Sequence, residues 1–228
     1  MTGPQALWRW TAIFAVLTAI IMAGFGQIDG MKACGGGDPI FAFEMVRSPA
    51  DVAALFPEPC RASHAAAQRT GLWVDIALFI WVYSAFLIFG LLALRREAGQ
   101  GANRIVRLAM LCAAIAAAAD QFENLQLLRL LDTLPGDQST IDALFAAPRV
   151  KFALLGVVTM VAGLLHFRQP GWRKIVGAAA LAGGLLAAIG VVAAHHWVLP
   201  GLFLGWSPLL VAALILSFRR APGAPLPA

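Results

Sequence analysis

Apolar residues run along this chain in six long blocks, each broken only by short polar or glycine-containing stretches. The blocks cover about Leu7 to Gly26, Leu72 to Leu94, Ile105 to Leu131, Val150 to Phe167, Ile175 to Ala194 and Val198 to Phe218. A helix needs roughly 20 apolar residues to cross a bilayer, because every backbone polar group in lipid must be satisfied inside the segment. The pattern therefore predicts an all-α, polytopic transmembrane bundle of six spans. The first block lacks the small-x-small pattern of a signal-peptide cleavage site and reads as a retained helix.

Between the first two blocks, RSPADVAALFPEP predicts a short helix. Ser48, Pro49 and Asp51 make a helix-start signal, and Phe56 and Pro57 stop it. Val52, Leu55 and Phe56 form its apolar side. From about Arg61 no breaker intervenes until Gly71, and positions 64, 68, 71 and 75 fall on one helical stripe. His64, Gln68 and Asp75 are thus expected on one face of an extended second helix, pointing at something polar.

Composition agrees: 60% of the 228 residues are hydrophobic and 13% charged, against about 45–50% and about 25% in soluble domains. The charges decide orientation. With six crossings, Arg9, Arg95, Arg96, Arg104, Arg107, Arg168, Arg173, Lys174, Arg219 and Arg220 all fall on one side, where Glu97 is the single acid. By the positive-inside rule that side and both termini are cytoplasmic. The net charge of +5 is then a topology signal, and nucleic acid is not expected as a partner. The chain reads as one membrane domain, 1–228, in the bacterial inner membrane, with the lipid bilayer as its first partner. Residues 27–71 form a periplasmic cap, 72–167 carry helices two to four, and 175–218 form two scaffold helices. In the fifth block Ala179, Ala180, Gly183 and Gly184 permit close helix approach.

The third block holds the sharpest anomaly. Asp120, Glu123 and Asn124 stand at i, i+3 and i+4, so they share one face of an otherwise apolar helix. Asp75 and Lys151 are expected at a similar depth, in the periplasmic half. A charged residue at a helix centre costs about 2.5–3.5 kcal/mol, so these groups must face the bundle interior. Lys151 can bridge to Asp75, Asp120 or Glu123, but one lysine cannot neutralise three carboxylates. A proton, a cation or water has to complete the site.

The succession FAFEMVRSPADVAALF, Asp75 with Tyr83, D-x-x-E-N at Asp120, Glu123 and Asn124, and Lys151 opening helix four resembles an uncharacterised bacterial multi-pass membrane protein family. The likeness spans about residues 38–167. It implies that the cluster belongs to one site and implies no activity.

Cys34 and Cys60 lie in the cap and can pair if it faces an oxidising compartment; independent thiols are the alternative. His64, His195 and His196 are the weak candidates for a metal site, and hydrogen-bonded or solvated rings are the commoner state at such positions. H-E-x-x-H, G-x-S-x-G, C-x-x-C and phosphate-loop patterns are absent, and Gly35 to Gly37 reads as linker. The sequence leaves any cofactor open, and enzyme activity with it. Three readings follow: binding or translocation of a proton, cation or small solute at the polar cluster; a membrane-embedded enzyme acting on a lipid-type substrate; or an accessory subunit with a membrane-protein partner and a purely structural cluster.

Overall fold

A computed structural model describes residues 4–34, 39–193 and 195–219. The chain is all-helical there: α1 (Pro4–Phe25), α2 (Pro39–Glu44), α3 (Pro49–Leu55), α4 (Arg61–Val74), a π-helical turn (Asp75–Phe79), α5 (Ile80–Ala98), α6 (Asn103–Asp132), α7 (Gln138–Phe167), α8 (Arg173–Ala193) and α9 (Val198–Ser217). Among the described residues, six helical stretches are long and apolar enough to cross a membrane, including Arg61–Ala98 as one. The protein is a multi-pass membrane protein. The expected linker Gly35 to Gly37 lies outside the described residues.

The helices divide into two compact units. One comprises Thr18–Trp81 and Ile115–Lys151. Its short helices α2 and α3 are too brief to be stable alone, so packing must hold them. Phe43, Val52 and Phe56 supply it, fully buried against Leu127, Leu130 and Leu144. The helix start at Ser48 takes its expected form: Ser48 Oγ accepts from Asp51 N at 3.2 Å, Pro49 opens the helix and Phe56 ends it. A second short helix, α2, precedes it, which the sequence pattern did not predict. Gly30 sits at φ +84°, and a side chain there would run into the Ser63 carbonyl.

In the same unit α7 begins about twelve residues before the expected Val150. The stretch after Asp132 contains Pro148, which reads as a breaker, yet Pro148 lies inside the helix. The helix runs through it from a strongly capped start. Asp137 accepts from Ser139 Oγ at 2.5 Å, from Thr140 N at 2.9 Å and from Thr140 Oγ1 at 3.1 Å. These bonds, the Ser139 hydroxyl foremost, hold the exposed Asp137 carboxyl below its ordinary range.

The other unit comprises Met1–Leu17, Val82–Ala114 and Phe152–Ala228. Glycines let its helices touch backbone to backbone: a Cβ on Gly183 would collide with Gly205 N, and one on Gly184 with the Gly156 carbonyl. Charged ends are tied together as well. Glu97 accepts from the Trp8 indole at 2.8 Å and from Arg173 Nη1 at 2.6 Å, while Arg173 Nε donates to His166 Nδ1 at 3.1 Å. Trp206 lies well inside α9 and donates to Thr159 Oγ1 at 3.0 Å.

Candidate functional site

Every member of the polar cluster lies within the unit built from Thr18–Trp81 and Ile115–Lys151. The α6 periodicity brings Asp120, Glu123 and Asn124 to one buried face, and Lys151 meets it from α7. Lys151 Nζ lies 2.9 Å from Glu123 Oε1, 3.2 Å from Asp120 Oδ1 and 3.2 Å from Glu44 Oε1. An ammonium has three N–H donors, and three carboxyl oxygens stand within reach of this one.

Glu44 is the residue that helical periodicity did not reveal. It ends α2, flanked by Phe43 and Val46, and all three are buried. The available signal was an acid embedded in an apolar segment, a position that burial makes costly without a cationic partner.

Of the three acids that Lys151 could bridge to, Asp120 and Glu123 are its partners, and Asp75 is tied in by an amide. Asn124 Nδ2 donates to Asp75 Oδ2 at 3.0 Å, so the amide joins this acid to α6. Asp75 also opens the π-helical turn, a feature often found at functional positions. The rest of its stripe is engaged elsewhere. His64 Nδ1 faces the Gly30 carbonyl at 3.2 Å, and Gln68 Nε2 donates to the Pro39 carbonyl at 3.0 Å.

Three acceptor oxygens in the cluster are buried with no hydrogen-bond partner: Asp75 Oδ1, Glu123 Oε2 and Asn124 Oδ1. Glu123 and Asn124 are 0% exposed. Each such atom costs about 1–3 kcal/mol unless something donates to it. All three are acceptors, so the missing complement is a donor or a positive charge. Charge counting agrees. Glu44, Asp75, Asp120 and Glu123 against Lys151 give four negative charges and one positive, a formal −3 if every group is ionised.

A metal ion fits this arrangement poorly. The Lys151 ammonium already occupies the space between three of the carboxyls, and among the described residues no group of three His, Cys, Asp or Glu is disposed to hold a metal. The histidines do not assemble one either: the His64 ring packs on Phe56 with centroids 5.0 Å apart and the His196 ring meets Trp197 at 5.9 Å. The His195 side chain lies outside the described residues. Cys34 and Cys60 form a disulfide, with Cα atoms 5.4 Å apart, that closes a loop containing α2 and α3.

Comparison with protein-family models, with curated proteins and with solved structures finds no match for this chain.

Proposed function

We propose that this multi-pass protein sits in the bacterial inner membrane with both termini cytoplasmic, and that its buried acid–lysine cluster binds and passes on a proton beneath a periplasmic cap. One observation carries the reading: three buried oxygens, Asp75 Oδ1, Glu123 Oε2 and Asn124 Oδ1, have no donor facing them. A proton on one carboxyl turns an acceptor into a donor and removes one negative charge from an overcharged site. Both deficits shrink in a single step.

In this reading Asp75 and Glu123 exchange the proton. Lys151 keeps Asp120, Glu123 and Glu44 together without filling the last acceptor positions, and Asn124 orients Asp75. Ionisable groups buried in a membrane bundle are costly and mark proton or ion pathways. The positive-inside count supports the orientation, and the Cys34–Cys60 disulfide suits an oxidising compartment around the cap.

The binding half is tested with a hydrophobic carbodiimide, which couples to protonated carboxyls, on the protein in native membranes. Peptide mass spectrometry should find label on Asp75 or Glu123 that rises as pH falls. Absence of label on the four cluster acids at every value between about pH 5 and 9 would end the reading. The translocation half is tested in proteoliposomes carrying a pH-sensitive dye under an imposed potential. Proton flux that disappears in Glu123→Gln supports it, and no flux under any gradient refutes it.

A further inference from the structure

The π-helical turn that opens on Asp75 leaves one carbonyl without its usual partner. In an α-helix the Ile80 amide would bond to the Ile76 carbonyl, but here it reaches back to the Asp75 carbonyl instead. Two side chains fill the vacancy. Gln121 Nε2 donates to Ile76 O at 3.1 Å and Trp81 Nε1 donates to it at 3.0 Å. Gln121 comes from α6, one residue after Asp120 and three before Asn124.

The turn reconciles two stretches whose registers are fixed separately. Before it, α4 is held by the Cys34–Cys60 disulfide at its start, by His64 against the Gly30 carbonyl and by Gln68 on the Pro39 carbonyl. After it, Ile80 is fully buried. Closing the wide turn to α geometry would remove one residue of slack. One side would then have to rotate by about 100°.

We propose that Gln121 is a positioning residue for Asp75: its amide, together with the Trp81 indole, replaces the missing backbone donor at Ile76, and from α6 it holds the turn that sets where Asp75 stands against Asn124. The inference rests on the proton-site reading and adds a device to it. The helix register at Asp75 and the protonation of Asp75 are linked through Gln121. Asn124 from α6 donates to Asp75, and the charges of Asp120 from α6, Lys151 from α7 and Glu44 from α2 act on it. A small change in Asp75's position alters its balance with all four.

The test uses the full-length protein in nanodiscs with two variants. Gln121→Met keeps the side-chain length and removes the donor, whereas Gln121→His keeps an N–H at similar reach. Hydrogen exchange reports on the turn, and carbodiimide labelling against pH reports on Asp75, with Glu123 as the internal reference. In Gln121→Met, exchange across residues 76–81 should rise about tenfold. The Asp75 labelling midpoint should move by more than about half a pH unit while that of Glu123 stays. Gln121→His should restore both.

Faster exchange with an unmoved Asp75 midpoint overturns the inference, because Gln121 is then only a helix contact. Unchanged exchange overturns it too, and so does an equal shift at Asp75 and Glu123, which means general loosening. If the wild-type protein takes no label at any pH, the proton-site reading falls and the positioning role with it. If wild type labels as expected and only the variants fail to differ, the positioning role falls alone.

Discussion

Lys151 Nζ lies 3.2 Å from Glu44 Oε1, so a short helix outside the six spanning stretches supplies one of the three carboxyls around a buried ammonium. This short helix is therefore part of the site's electrostatics. The acids outnumber the cation, and this gives substitutions opposite consequences depending on the sign removed.

Lys151→Met should be severely destabilising, by about 3–5 kcal/mol, because it strands buried carboxyls without their cation. Glu44→Gln should cost much less, since it removes a surplus negative charge and keeps an acceptor oxygen of the same reach for Lys151. Thermal unfolding of both variants in one detergent checks the order. Equal losses would mean that the excess of acids is immaterial to stability.

The cap should depend on its crosslink. The Cys34–Cys60 bond closes a loop of sequence separation 26 and should contribute about 3 kcal/mol. The double variant Cys34→Ser/Cys60→Ser should unfold at a lower temperature than wild type. In untreated membranes, Cys34 and Cys60 should resist a thiol reagent until a reductant is added. Labelling of Cys34 without reductant would contradict an oxidising environment for the cap.

How much of this was readable beforehand depends on how local the signal was. The Ser48–Pro49–Asp51 start of α3 was legible because capping chemistry lies within four consecutive residues. The face shared by Asp120, Glu123 and Asn124 was legible because helical period alone creates it. Glu44 was not, since its partner Lys151 is remote in sequence and only folding brings them together. The early start of α7 was hidden by Pro148, a residue that normally signals an end, while the cap at Asp137 works through Ser139 and Thr140. The π turn has no residue signature.

Asp137 offers a pH-dependent check outside the membrane. Its carboxyl is held below its ordinary range in the folded state, chiefly by the Ser139 hydroxyl, so its contribution is full above the unfolded value near 3.8. That contribution is lost as pH falls through the lower folded value. Asp137→Ala should therefore lower the unfolding temperature at neutral pH, and the gap from wild type should close in strong acid. A gap that persists unchanged there would assign Asp137 a role other than capping by its carboxylate.

The cluster should hold an exchangeable proton, and infrared spectroscopy of protein carrying isotope-labelled aspartate and glutamate can detect it. Wild-type protein should show a protonated-carboxyl stretch at neutral pH that disappears on alkaline titration and is missing in Asp75→Asn or Glu123→Gln. A wild-type spectrum with every carboxyl ionised at neutral pH, and no difference from those two variants, would contradict it.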